Sequence, residues 1–206
     1  MSKVLVFGAG GRAGRAAVDE AISRGHEVTA AVRDPSRYAD LPPAAKVVAA
    51  DVTLPGDVAR LAAEHDAVVA AVYDGGADPA DFFVKAARAL SEGVGDSRLV
   101  WVGLASILET GSGGLLMDAP DYPQEYRAFY LTHQAAVEIF AGSALDWVSI
   151  APAGDFDHDH PARTGGYQVI PADAASRISY ADLAIALLDE IDAPRHHRAR
   201  IGVAPR

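Results

Sequence analysis

Near its amino terminus the chain reads Lys3-Val-Leu-Val-Phe7-Gly8-Ala9-Gly10-Gly11-Arg12-Ala13-Gly14. Lys3 to Phe7 is a compact apolar run that stops at glycines. A strand in a parallel sheet has helices over both faces, so it needs apolar residues on both sides and shows no alternation. After the glycines the period changes. Ala13, Ala17, Val18, Ala21 and Ile22 recur at helical spacing between Arg12, Arg15, Asp19 and Glu20, and Gly25 stands where a helix C-terminal glycine belongs. The first unit is therefore strand, glycine turn, helix.

The same unit repeats along the chain. Glu27 to Val32 predicts a second strand, Lys46 to Ala50 a third, Gly56 to His65 a short helix, and Asp66 to Val72 a fourth strand. Residues 79 to 92 predict a helix with Phe82, Phe83, Ala86, Ala87 and Leu90 on one face, followed by a strand over Arg98 to Val102. A helix over 123 to 142 leads to a sixth strand, Leu145 to Ala151. Tyr167 to Ile170 reads as a short strand, and Arg198 to Val203 as one that closes the main sheet or a small side sheet. Between them Ser179 is placed to cap a helix whose face is Tyr180, Leu183, Ala184, Leu187, Leu188 and Ile191. Strands alternating with helices at this rhythm imply right-handed crossovers and an α/β, Rossmann-like doubly wound parallel sheet. No linker divides the chain, so residues 1–206 are expected to form a single domain, with substrate-side excursions at 104–122 and 152–178.

Composition narrows the chemistry. With 206 residues, half of them hydrophobic, one large core is affordable. Eighteen Lys and Arg against 28 Asp and Glu give a net charge of −10, which repels phosphate backbones and acidic membranes, so neither nucleic acid nor a membrane is an expected partner. The absence of cysteine excludes disulfides, thiolate nucleophiles and cysteine-bearing metal sites. No apolar run approaches a membrane span, and the chain enters its first strand where a signal peptide would stand; the expectation is a cytoplasmic monomer or homodimer acting on a small molecule.

Gly8, Gly11 and Gly14 satisfy G-x-x-G-x-x-G, while Gly8, Gly10 and Ala13 also fit G-x-G-x-x-A. Between a strand and a helix such residues serve a sharp turn, a close backbone approach to a pyrophosphate, and tight helix packing, and the helix N-terminus offers free N–H groups. Gly8, Gly10, Gly11, Arg12, Ala13 and Gly14 are accordingly the expected dinucleotide-phosphate loop. At the end of the second strand, NAD-binding chains carry an acid and NADP-binding chains a cation. Here Arg33 comes first, with Arg12 and Arg37 placed to join it, which favours NADP; Asp34 argues for NAD, although its position before Pro35 suits a turn. Asp51 and Val52 are expected at the adenine edge, and Ala71 and Val72 beside the ribose. Gly103 and Pro152, at the ends of the fifth and sixth strands, complete the expected cofactor-binding set.

The chain resembles the atypical short-chain dehydrogenase/reductase families, in particular the bacterial NAD(P)H-binding or NADH-flavin reductase proteins. The resemblance rests on K-V-L-V-F-G-A-G-G-R-A-G, on G-H-E-V-T-A-A-V-R-D-P at 25–35, on L-M-D-A-P-D-Y-P at 116–123, and on R-I-S-Y-A-D-L-A at 177–184. Biliverdin-reductase-B-like and NmrA-like proteins share the first two blocks. It implies a bound nicotinamide cofactor and a loosely defined substrate site. One departure bears on mechanism: short-chain dehydrogenases use Tyr-x-x-x-Lys on the helix after the fifth strand, whereas here Tyr126 pairs with Tyr130 and Tyr130 with Gln134. Ser106 is also displaced, three residues past Gly103.

Tyr126, Tyr130, His133, Val137 and Phe140 share one helix face. That stripe is either core, or it brings one of Tyr126, Tyr130 and His133, the candidate catalytic residues, to the cofactor or substrate. Asp155-Phe-Asp157-His158-Asp159-His160 has the composition of a cation site, but ligands so close in sequence seldom complete a coordination sphere, so no metal is expected and the loop is assigned to the wall of the cleft. The segment 104–122, with Gly111-Ser-Gly-Gly114, is a mobile lid or a disordered surface loop. The expected function is hydride transfer from NADPH to an acceptor such as flavin, as a substrate, or a quinone. The alternatives are a non-catalytic dinucleotide sensor and a sugar-nucleotide epimerase-like enzyme.

Overall fold

The structure is a computed structural model and describes residues 1–159 and 162–206. Among the described residues, ten strands and five α-helices follow one another as β1 (Lys3–Phe7), α1 (Arg12–Ser23), β2 (Glu27–Val32), β3 (Ala45–Ala49), α2 (Pro55–Ala62), β4 (Ala67–Ala70), α3 (Pro79–Gly93), β5 (Arg98–Val102), α4 (Arg127–Ala141), β6 (Trp147–Pro152), β7 (Asp155–Phe156), β8 (Tyr167–Ile170), β9 (Arg177–Ile178), α5 (Tyr180–Asp192) and β10 (Ala199–Pro205). The main sheet has the order β3-β2-β1-β4-β5-β6-β10-β8. All neighbours in it are parallel except β8, which runs antiparallel to β10 at one edge. The tail thus closes the main sheet. The fold is the Rossmann-like doubly wound α/β class expected from the alternation.

The uninterrupted apolar run of β1 has its explanation in the two cores. Leu5 and Phe7 pack with Val58, Phe83, Ala86 and Phe140 from α2, α3 and α4. Val4 and Val6 pack on the other face with Ala17, Val18, Leu183 and Leu187 from α1 and α5. All four strand residues are at most 1% exposed. Full burial of one such side chain is worth roughly 1.5–3 kcal/mol, so the strand tolerates no polar residue on either side. Local signals set the ends of the helices. Asp78 accepts from the Ala80 N–H at the start of α3, and Ser179 Oγ accepts from the Asp182 N–H at the start of α5. Gly25 takes φ +81°, the left-handed residue that ends α1.

Three expectations need correction. A single turn of 3₁₀ helix, Gln124–Tyr126, precedes α4, so the α-helix begins at Arg127 and Tyr126 caps it. The excursion after β6 contains a two-stranded parallel sheet of its own, β7 with β9. The segment 104–122 is neither a free lid nor structureless: Leu108 and Leu116 cluster with Ala105, Ala151 and Ala172, the Leu116 N–H donates to the Leu108 carbonyl at 3.0 Å, and the Ala172 N–H to the Glu109 carbonyl at 2.8 Å. Among the described residues no helix is long and apolar enough to cross a membrane.

Candidate functional site

β1 is flanked by β2 on one side and β4 on the other, so the crossovers leaving it and arriving beside it pass to opposite faces. A crevice must open at the carboxyl ends of these strands, and ligands of doubly wound sheets bind there. A cavity of about 880 Å³ occupies that position. Its size lies in the upper part of the range of cofactor and small-molecule sites.

The glycine loop forms the floor, and its glycines differ in what they do. A Cβ at Gly8, which has φ +76°, would stand 2.0 Å from the Ala71 carbonyl oxygen, and one at Gly14 would stand 2.1 Å from the Gly8 carbonyl oxygen. One at Gly10 would strike the Tyr38 ring at 2.2 Å. A Cβ at Gly11, by contrast, meets nothing nearer than the Gly8 oxygen at 3.4 Å. Gly8, Gly10 and Gly14 are thus demanded by the protein itself, whereas Gly11 faces open space. Gly14 does not line the cavity and acts by letting α1 approach the loop. Gly11 is also the N-cap of α1 and gives it no side-chain cap, so the helix N-terminus opens toward the cavity beside Arg12 and Ala13, which line it.

Arg12, Arg33, Asp34 and Arg37 all line the cavity. Asp34 Oδ1 accepts from the Ser36 N–H at 3.1 Å and from Ser36 Oγ at 2.7 Å, bonds that hold its carboxyl below the usual carboxylate range and commit it to the turn. Arg33 forms an ion pair with Asp74, and Arg12 Nη1 lies 3.1 Å from His158 Nδ1. Asp51 and Val52 line the cavity beyond β3; Asp51 Oδ1 is engaged by the Thr53 N–H and hydroxyl at 2.8 and 2.7 Å. Ala71, Val72 and Gly103 line it as well. A Cβ on Gly103 would fall 2.4 Å from Ser149 Oγ. Pro152 does not line it: it ends β6, buried, paired with Val203 of β10.

Much of the remaining lining is aromatic. Phe82 and Phe83 from α3, Phe129 and His133 from α4, and Tyr73 line the cavity, as do Phe156 and Tyr180, whose rings stack 4.0 Å apart and 15° from parallel. His133 sits 4.0 Å from the Phe83 ring and 4.8 Å from that of Phe129, and among the described residues neither of its nitrogens has a hydrogen-bond partner. Burial pushes this imidazole down to about 4, so it is neutral at pH 7. Of the three candidate catalytic residues, only His133 reaches the cavity. Tyr126 is 57% exposed outside it, and Tyr130 is buried against Tyr122 with ring centroids 5.3 Å apart, where burial raises its phenol. Among the described residues no lysine lines the cavity and no three His, Asp or Glu side chains are grouped to hold a metal. His160 of the acidic loop lies outside the described residues.

Helical spacing places Phe82, Phe83 and Tyr180 only on helix faces, and no sequence pattern singles out Tyr73, Asp74 or Phe129. Periodicity identifies an apolar face without saying whether it meets the sheet or the crevice. The profile of the NAD(P)H-binding family matches residues 8–194. The chain belongs to that family. The uncharacterised protein YwnB of Bacillus subtilis (strain 168) is 38% identical over 98% of this chain and 97% of its own length. Among solved structures, a "putative NADH-flavin reductase" from Streptococcus pneumoniae TIGR4 superposes with a TM-score of 0.86 at 29% identity, covering all of both chains. A "putative epimerase" from Bacteroides thetaiotaomicron gives 0.83 at 30% identity over 98% of this chain and 96% of its own. The cavity suits the cofactor of the NAD(P)H-binding family: the open face of Gly11 leaves room for a pyrophosphate that any Cβ would fill, and Arg12, Arg33 and Arg37 line the same cavity.

Proposed function

We propose that this protein is an NADPH-dependent reductase whose acceptor is a small planar molecule of the flavin or quinone class. The observation that carries this is the makeup of the acceptor end of the cavity, which is walled by aromatic rings and lacks the tyrosine–lysine pair of an acid-assisted carbonyl reductase. Bound NADPH supplies a hydride. Flavins and quinones delocalise the incoming charge and take a proton from water, so the protein need only hold donor and acceptor within about 3–3.5 Å and exclude competing solvent. Phe82, Phe83, Phe129 and the Phe156–Tyr180 stack offer flat apolar faces for that purpose. Neutral His133 leaves the wall uncharged. Arg33, with Arg12 and Arg37 lining the same cavity, supplies the cations that favour a 2′-phosphate, and Asp34 is withdrawn from the ribose by its bonds to Ser36. The flavin class of acceptor is also the one named for the similar Streptococcus pneumoniae protein, a "putative NADH-flavin reductase".

The test is NADPH oxidation followed by absorbance with FMN, riboflavin and a soluble quinone, beside simple aldehydes and ketones. Turnover is expected with the first group only. Cofactor binding without turnover on any acceptor would replace this proposal with a dinucleotide sensor.

A further inference from the structure

Arg33 stands one residue beyond β2 and Asp74 four residues beyond β4. Because β2 and β4 flank β1, their ion pair spans the carboxyl end of β1, across the crevice at the point where the chain turns away through Gly8. The two partners are held unequally. The Asp74 carboxylate is 18% exposed and anchored by Oδ1, which accepts from the Gly76 N–H at 3.0 Å, while Oδ2 takes the guanidinium. Arg33 is 63% exposed, lines the cavity, and has Asp74 as its single side-chain partner among the described residues. The Gly76 N–H, and then Arg33, keep the Asp74 carboxyl below the usual carboxylate range, so it is an anion at neutral pH.

We propose that Asp74 is a specificity-determining residue: an internal anion that competes with the 2′-phosphate of NADPH for Arg33 and so restrains the preference for NADPH over NADH. This rests on the NADPH assignment above. A 2′-phosphate arriving at Arg33 must displace the Asp74 carboxylate from the guanidinium, and breaking that pair costs affinity. NADH brings no phosphate to that position and is indifferent to the pair. Asp74 therefore lowers affinity for one cofactor and leaves the other unchanged.

The experiment is fluorescence titration of NADPH and NADH into the natural protein, Asp74→Asn, Arg33→Ala and the double variant. Asparagine keeps the oxygen that accepts from Gly76 and removes the charge; Asp74→Ser, which also removes it, must repeat the effect. Exposed ion pairs are weak, so Asp74→Asn is expected to tighten NADPH by about two- to fivefold with NADH unchanged. In the Arg33→Ala background the same change is expected to leave the NADPH-to-NADH ratio where it was. Equal affinities before and after, or a loss of NADH binding that would make Asp74 a ribose ligand, overturns the proposal. An Arg33→Ala variant that weakens both cofactors equally defeats the NADPH assignment itself, whereas a selective Arg33 effect with an inert Asp74 defeats this inference alone.

Discussion

Gly14, inside the first turn of α1, packs its Cα hydrogens against the carbonyl of Gly8, and a Cβ there would lie 2.1 Å from that oxygen. A Cβ on Gly11, three residues earlier, would meet nothing nearer than 3.4 Å. One glycine motif therefore contains a folding position and a binding position. Gly14→Ala is expected to lower stability by at least about 1–3 kcal/mol, as forced overpacking does, with the loss visible in thermal melts without any cofactor. Gly11→Ala is expected to change the melt by less than about 1 kcal/mol and to weaken NADPH by more than tenfold, because the added methyl enters the space of the phosphate. Unchanged NADPH affinity in a folded Gly11→Ala protein would remove the loop from the cofactor site.

His133 gives a second prediction, this one in the pH dependence of stability. Its folded-state value of about 4 lies below the ordinary histidine value of about 6.5. Between those values the unfolded chain binds the proton and the folded one does not, so stability falls as pH is lowered from about 6.5 to about 4, by up to about 3 kcal/mol from this residue. Phenylalanine keeps the ring contacts with Phe83 and Phe129 and removes two buried nitrogens that have no hydrogen-bond partner among the described residues. His133→Phe should therefore be at least as stable as the natural protein at pH 7, with an advantage that grows toward pH 4. An advantage that stays constant across this range, by chemical denaturation, would mean that the imidazole titrates normally.

The alternation of apolar runs and amphipathic helices made the sheet legible because each β strand must be apolar on both faces and each helix on one. Cβ crowding explains why the glycine loop was legible too. What the pattern could not carry was depth. Tyr126, Tyr130 and His133 have the spacing of one stripe, yet the 3₁₀ turn rotates Tyr126 to the surface, Tyr130 turns to Tyr122, and only His133 meets the cavity. β7 and β9 have two residues each, too few for any period to register. Asp74 sits in a loop whose sequence has no period at all, and its partner lies 41 residues away.

Asp182 is the third test. Its carboxylate is 1% exposed and accepts from the Thr164 N–H, the Thr164 hydroxyl, the Gly165 N–H and the Ser179 hydroxyl, at 2.9–3.0 Å. Burial alone would raise its value, but these donors outweigh that and hold it below the ordinary range. The contribution is thus complete at neutral pH and is lost only as pH falls through that depressed value. Asp182→Ala strands the donors and should cost about 2–4 kcal/mol. Hydrogen exchange should accelerate at Thr164 and Gly165 well before it does in β1. Uniform exchange in both regions would show that the loop is not tied down by this carboxylate.

Mechanism supplies the last test, because an acid-assisted reductase and a positioning reductase respond differently to the same substitutions. Loss of a general acid usually costs 10²–10⁴-fold. Tyr130, buried against Tyr122 outside the cavity, has no path to the acceptor, so Tyr130→Phe should lower flavin or quinone reduction by less than tenfold, and Tyr126→Phe by less still. A change in the cavity wall should do more harm. Gly103 lines the cavity, and a Cβ there would press on Ser149 Oγ at 2.4 Å, so Gly103→Ala shifts this part of the wall unless Ser149→Ala removes the contact. The single variant should bind NADPH and reduce acceptor more slowly than Tyr130→Phe, since a displacement of about 1 Å from near-attack geometry can cost about 100-fold, and adding Ser149→Ala should restore the rate. A loss of three orders of magnitude in Tyr130→Phe, with NADPH affinity unchanged and Gly103→Ala near normal, would instead require that the Tyr122 and Tyr130 phenols open into the cleft and deliver a proton.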